Sequence, residues 1–596
     1  MIVYREHRVR MQPPRWLDEL RRDSRRLAEH PVSQDVAVTC FIRTAAFESA
    51  VADAIFTRLD DISPLTTSLG HASLVAGRLL SRSWRSDHEG IRRAAGQLAD
   101  DLDAVPASEL PAEIWTAESE GYAHYGVYPE SYLRAAARSA AWIGSRPVLV
   151  IGLRSIGASL SAAVAGALAE DGHEVERHTV RPRGDPFDRR LALDSALSCA
   201  LASAATRGAA VLLVDEGPGL SGSSFVGTAL ALEELGLPRY RIALMPSWET
   251  TGDHLKSPRA RALWSCYRQF TVTADELDPA AAAARELAGT DSLRDLSAGQ
   301  WRSLVYPGSS ARPAVQPQHE RRKFLAQRPD AQRPDRAAPG SQTLVKFLGL
   351  GGRAERLQDR ARLLAGAGFS PAPLGALHGM VAFQWVAGTP CRTGGADAAL
   401  VGSAARYLSA MRELPTCGSG ASSAELSEMI DVNVEEGLGP LWRQRAEQVL
   451  AGMPREMTEQ QVALDGRMLA HEWFRSPARG WLKADSLEHH ADHFFPGGQD
   501  VAWDVAGACV ELLPPTAGDA LVEAYCRTSG DHAVTRRLPF YALAYLAFRL
   551  GYSTMAAESN RGSADGARFR REIGRYGRLL RRELSRAPGR PWSWQG

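Results

Sequence analysis

Apolar residues recur at three- and four-residue spacing through residues 1–110, in RWLDELRRDSRRLAEH and RTAAFESAVADAIFTRL, and that period predicts amphipathic helices. The stretch PASELPAEIWTAESEGYAHYGVYPESY is turn-rich and aromatic, and reads as a hood over whatever follows. From Arg146 the pattern changes. Short apolar runs (VLVIGL, HEVERHTVRP, AAVLLV, RYRIALMPS) alternate with helical stretches, which predicts a parallel sheet covered by helices on both faces. Ligands of such sheets sit beyond the carboxyl ends of the strands. A Pro- and Arg-rich stretch at 307–341 lacks periodicity and reads as a linker. Beyond it, SQTLVKFL and HGMVAFQWV predict strands around the helix RAERLQDRARLLAGAG, and residues 396–596 are mainly helical. The expected class is α/β. A helical region (1–110) precedes a parallel-sheet domain (111–306); after the linker (307–341) comes a two-lobed α+β domain, with a small lobe at 342–395 and a helical lobe at 396–596.

Composition narrows the function classes. A net charge of +1 leaves no electrostatic footprint for nucleic acid or an anionic membrane. No apolar run approaches the roughly 20 residues that span a bilayer, and the first residues, MIVYREHRVRMQPPRW, lack a secretory apolar core. The seven cysteines form no CxxC pair, which argues against structural zinc and a disulfide framework and for a reducing cytoplasm. The expected partner is a small-molecule substrate; oligomeric state is open. Only four of the 70 basic residues are lysine (Lys256, Lys323, Lys346, Lys483). Against that arginine background, the position of a lysine is informative.

Two constellations carry candidate chemistry. The run AAVLLV leads into Asp215-Glu216 and then GPGLSGSS. Two acids at a strand end can accept hydrogen bonds from vicinal ribose hydroxyls, and successive N–H groups and hydroxyls at a helix start suit a phosphate. This order resembles the type I phosphoribosyltransferases over residues 145–250. The resemblance implies Mg²⁺-dependent use of phosphoribosyl pyrophosphate, with Asp215 and Glu216 on the ribose and Ser221, Gly222, Ser223 and Ser224 around the 5-phosphate. The turn holding Arg154, Ser155 and Gly157 stands at the family's pyrophosphate loop, and RPRGDPFDRR stands at its mobile loop, with Arg183, Arg189 or Arg190 over the leaving group. The acid pair departs from the usual Asp-Asp or Glu-Asp, the loop is longer, and Ser replaces Thr. Tyr122, His124, Tyr125 and Tyr128 would either stack on a flat acceptor or pack between subdomains.

The second constellation lies in the C-terminal half. Lys346 stands mid-strand in TLVKFL, with Glu355 at the start of the next helix as a candidate ion-pair partner. Asp485 follows a strand-like segment, and Asp504 lies in DVAWDVAG. This layout resembles the aminoglycoside phosphotransferase and choline kinase-like fold. That resemblance implies ATP and Mg²⁺, with Lys346 on the phosphates, Asp485 orienting the acceptor hydroxyl, and His490 and Asp504 on the metal. The usual His-Gly-Asp reads Lys483-Ala484-Asp485, and no glycine-rich loop precedes Lys346. Together the constellations predict a bifunctional enzyme acting on phosphoribosyl or nucleoside-like compounds. The alternatives are a nucleotide sensor with one or both sites inactive, and a scaffold that keeps only the two folds.

Overall fold

The computed structural model describes residues 1–596 except 31–32, 274–275, 307, 309–311, 328–341, 415–419, 454–459, 515–516 and 587–596. The expected parallel sheet is present. Its strands Val148–Leu153, Val175–Val180, Ala210–Val214, Ile242–Met245 and Arg268–Gln269 are all parallel, and in chain order they stand 2-1-3-4-5. The order reverses between Val148–Leu153 and Ala210–Val214, which makes their carboxyl ends the topological switch point. Both faces are covered, as the unbroken apolar runs require. Along the first strand Val148 and Val150 enter one core while Leu149, Ile151 and Leu153 enter another.

The C-terminal half has two lobes. A five-stranded antiparallel sheet comprises Leu293–Asp295, Lys323–Gln327, Gln342–Phe347, Pro373–Leu377 and Met380–Gln384. Below it a helical lobe is built around Ala502–Leu512, Val534–Ser559 and Ala564–Leu584, with a small sheet holding the hairpin Trp473–Ser476 and Gly480–Lys483. Strand alternation decides what faces the gap between the lobes. Phe324, Ala326, Val345 and Phe347 point to the outer core, so Lys323, Leu344 and Lys346 point into the cleft.

The boundaries expected from sequence shift here. Leu293–Asp295 and Lys323–Gln327 pair in the same sheet as the Lys346 strand, so these two strands belong to the small lobe rather than to the preceding domain or a linker. The rest of the predicted linker, residues 328–341, lies outside the described residues. The outer face of the small-lobe sheet also shares one core with the N-terminal helices and the parallel-sheet domain. Expressed separately, residues 1–306 and 342–596 are therefore expected to aggregate, because the cut strips Val345, Phe347, Met380 and Ala382 of their cover. Two soluble fragments with native-like helical circular dichroism would contradict this shared core.

Candidate functional sites

At the switch point the two expected turns meet. Gly157 packs on the Asp215 turn so closely that a Cβ there would fall 2.7 Å from the Val214 carbonyl oxygen. Ser155 has φ of +119°, a strained value for a non-glycine residue, and faces a cavity of about 340 Å³. Tyr132 donates its hydroxyl proton to the Asp215 carbonyl at 2.7 Å, and Glu216 abuts Gly121. Burial pushes the Asp215 carboxyl up to about 7; burial and then the Asp215 charge push Glu216 up to about 8. Near neutrality Glu216 is thus mostly protonated and Asp215 about half so. Stability from two such groups is complete below their unfolded values of 3.8 and 4.5, and falls as pH rises toward 7–8. Unfolding free energy should therefore decline between pH 4 and pH 8, and Asp215→Asn with Glu216→Gln should flatten that decline. An unchanged slope in the double variant would refute the assignment.

The arginines are placed differently from the sequence expectation. The Arg154 guanidinium is buried, pairing with Asp53 at 2.7 Å and with Asp60, so it has no open face for a phosphate. Residues 181–190 fold back on themselves through an Arg183–Arg190 bridge. There Arg189 donates to the Pro182 carbonyl and Arg190 pairs with Asp188, so neither meets the acid pair. Ser223 donates to the Pro186 carbonyl at 2.8 Å, and its N–H approaches Ser221 Oγ at 3.3 Å. Gly222, at φ of +71°, turns the chain into the helix that Ser223 and Ser224 begin. The arginines that do line the cavity beside Ser155 are Arg8, paired with Glu6, and Arg181 and Arg183, held by Asp53 and Asp60; of the three expected from sequence only Arg183 is among them. The aromatic hood packs between the halves: Tyr128 donates to the His378 carbonyl, His124 meets Arg321 at 2.7 Å, and Tyr125 meets His493 at 2.7 Å.

The cleft between the two lobes gathers the second constellation. Lys346 Nζ lies 2.8 Å from Asp485 Oδ1 and 2.8 Å from Glu488 Oε1. Burial disfavours its charge, but the two carboxylates hold the ammonium above its ordinary value. Asp485 is held well below the carboxylate range by Lys346 and His489 against its burial. The expected partner Glu355 is exposed in the first turn of Arg353–Gly366 and makes no ion pair with the lysine. Lys323 lies directly opposite Lys346 across the strand pair, its charge met by Glu320 at 2.7 Å. Lys483 lies fully buried beneath the cleft. Three of the chain's four lysines thus lie in or beneath one cleft; Lys483 stands beside Asp485 as its sequence position implied, whereas sequence reading gave Lys323 no role.

Asp504 is corrected from metal ligand to clamp. It is fully buried, and its two oxygens accept the backbone N–H groups of Asp465 and Gly466, each at 2.9 Å. Burial, and then the Asp465 charge, push it up to about 8. The loop it fixes presents Arg467, His471 and Glu472 to the cleft. Asp504→Asn would set an amide N–H₂ against one of those donors, so a stability loss of about 1–3 kcal/mol is expected in chemical denaturation. A variant as stable as the parent would remove the clamp. His490 faces a different cavity, of about 600 Å³, with Arg353 and Arg360, and burial drives its pKa well down. It is not placed with Asp485.

Metal chemistry can be tested against the donors present. Ligand atoms of Asp465, Glu472 and His489 lie within 4.8 Å of one another, a metal-like cluster. Lys483 Nζ already sits there, 2.9 Å from Asp465 and 2.6 Å from Glu472, and it donates to the Asp485 carbonyl as well. Three acceptors satisfy its three protons, so this cluster does not fit a metal ion while the lysine is in place. Asp485 and Glu472 line the cleft beside it and offer the hard oxygen donors that Mg²⁺ takes.

No family model and no curated protein matches the chain. Among solved structures it is similar to a choline kinase from Cryptosporidium parvum, at 10% identity over 44% of this chain and 88% of that one, with a TM-score of 0.30. It is also similar to a macrolide 2′-phosphotransferase from Brachybacterium faecium, at 16% identity over 48% and 92%, with a TM-score of 0.30. A third likeness is to aminoglycoside 2′-phosphotransferase-IIIa in its GDP complex, at 11% identity over 48% and 97%, with a TM-score of 0.31. These neighbours are kinase-like phosphotransferases. Among the described residues, no helix is long and apolar enough to cross a membrane.

Proposed function

We propose that the C-terminal half is a nucleotide-dependent small-molecule phosphotransferase, its nucleoside triphosphate seated in the cleft at Lys346 and Asp485. The observation that carries this reading is that Lys323 and Lys346 both line one carboxylate-lined cleft, with Lys483 buried beneath it, in a chain whose basic residues are nearly all arginine. Kinase sites set a strand lysine and a metal-binding aspartate on the same phosphates, and the Lys346–Asp485 pair at 2.8 Å has that arrangement. Asp485, which the sequence resemblance set on the acceptor hydroxyl, stands beside the phosphate lysine instead, so Asp485 and Glu472 would hold Mg²⁺, which when bound offsets charge on the phosphate oxygens.

The acceptor's proton needs a different base from the usual one. Kinase loops carry an aspartate five residues before a metal-side residue; here Arg467 and Glu472 have that spacing, so a cation stands where the aspartate would be. His471 faces the same cleft, stacked on Trp301 at 5.6 Å, with no hydrogen-bond partner among the described residues. Burial lowers it to about 4, so it is neutral at pH 7 and about as basic as an aspartate. We assign it the role of proton acceptor. Lys346→Met should weaken Mg·ATP binding tenfold or more, since hydrogen bonds to charged groups contribute about 1.5–3 kcal/mol. Calorimetry showing unchanged affinity would sink the reading.

Arg467 and the closed Lys346–Asp485 pair favour a second reading, nucleotide sensing without turnover; absence of ADP release with every acceptor tried, despite tight Mg·ATP binding, would select it. For the parallel-sheet half we propose a phosphoribosyl-compound site at Asp215 and Glu216, supported by two half-buried acids and a strained turn meeting at the switch point. Asp215→Asn with Glu216→Gln should weaken phosphoribosyl pyrophosphate more than tenfold.

A further inference from the structure

A second cavity, of about 800 Å³, opens off the nucleotide cleft. Val305, Ala314, Leu469, His471, Arg549 and Phe569 line both, so His471 and Arg549 stand at the junction. Six arginines line the larger cavity (Arg312, Arg392, Arg549, Arg568, Arg571, Arg575) against two acids, Glu511 and Glu572. Some of that charge is already answered. Arg575 pairs with Glu511 at 2.8 Å and Glu572 at 3.3 Å, and Arg568 with Asp565 at 3.0 Å. Arg392 and Arg571 are exposed at the rim.

Arg549 is the distinctive member. It is only 8% exposed, and its guanidinium lies 5.6 Å from the Tyr552 ring centroid and 5.3 Å from that of Tyr576. Its Nε donates to the Tyr576 hydroxyl at 3.2 Å, and that hydroxyl in turn donates to Glu511 at 2.8 Å. Neither terminal nitrogen of Arg549 has a hydrogen-bond partner among the described residues. A buried planar fork, fixed by two rings and left with its paired donors open to a cavity, matches a carboxylate or phosphate bidentately. The surplus of arginine disfavours a cationic ligand in the same space.

We propose that this cavity binds the phosphoryl acceptor, and that the acceptor is an anionic polyol, a sugar phosphate or sugar acid whose charged group is held by Arg549. The identification as acceptor rests on the phosphotransferase reading; the anion site itself does not. In the transfer, the acceptor hydroxyl gives its proton to His471 and its oxygen bonds the γ-phosphorus. The bond from that phosphorus to the β,γ-bridging oxygen breaks, and the nucleoside diphosphate leaves with the electron pair.

The test is binding first and turnover second, on the full chain. Ribose 5-phosphate, gluconate and the cationic comparator choline are titrated calorimetrically without nucleotide, then assayed for ADP release with Mg·ATP. Ribose 5-phosphate or gluconate should bind and choline should not; whichever anion binds tells phosphate from carboxylate as the recognised group. Arg549→Lys keeps the charge but loses the fork, and should weaken the anion at least tenfold. Arg392→Ala and Arg571→Ala, at exposed positions that do not endanger folding, should each weaken it about threefold. Anion binding with ADP release supports both the site and its role. Anion binding that Arg549→Lys weakens, with no ADP release, keeps the site and removes the phosphotransferase reading. Binding of neither anion, or affinity unchanged in all three variants, overturns the proposal.

Discussion

Lys483→Ala is expected to lose about 3–5 kcal/mol of unfolding free energy, the cost of leaving buried carboxylates without their counter-charge. Lys483 is fully buried, and its ammonium pairs with Asp465 at 2.9 Å and Glu472 at 2.6 Å, while His489 lies 3.2 Å from the other oxygen of Asp465. It holds Asp465 down to about 2 against a burial that would raise it, while Glu472 is raised, by burial first. Removing the side chain empties a seat whose remaining donors, Asp465, Glu472 and His489, lie within 4.8 Å of one another. Zn²⁺ should therefore restore part of the lost stability in the variant and leave the parent unchanged. Urea denaturation with and without the ion measures both effects. A loss below about 1 kcal/mol, the scale of a surface pair, would mean that the ammonium is not the ion holding the loop together.

His471→Asn is expected to lower kcat by about 10²- to 10⁴-fold, the usual contribution of a positioned base. The KM for ATP should change little, because the imidazole acts on the acceptor's proton. A base lowered to about 4 is active in its neutral form, so kcat should rise through pH 4 and stay level from about pH 5.5 to 8. A rate that instead rises through pH 6–7 would point to an unperturbed histidine elsewhere, and a variant with full kcat would exclude His471.

The elements and the Lys346 strand were legible because they depend on local periodicity. Alternation alone places Lys346 opposite the core-facing Val345 and Phe347. The rest depended on partners far along the chain. Glu355 has the right spacing from Lys346, yet the ammonium is taken by Asp485 and Glu488, more than a hundred residues on. Asp504 follows an apolar run and precedes small residues, which reads as a ligand turn. The same pattern also describes the first turn of a buried helix, where an acid can bind backbone N–H groups, as it does here. Arg154 looked like a phosphate ligand until Asp53 and Asp60, from the N-terminal helical region, were seen to occupy it. One signal for Lys323 was in the sequence all along: lysine is so rare here that it deserved the scrutiny given to Lys346 and Lys483.

The cleft is expected to bind a metal–triphosphate through Asp485, while Asp504 only shapes the loop beneath it. Calorimetric titration of Mg·ATP into three proteins tests it directly. The parent should bind, Asp485→Asn should lose at least tenfold in affinity, and Asp504→Asn should stay within about threefold of the parent at a temperature where it remains folded. If Asp485→Asn binds like the parent while Asp504→Asn does not, the roles assigned to the two carboxylates are reversed and the cleft described here is not the nucleotide site.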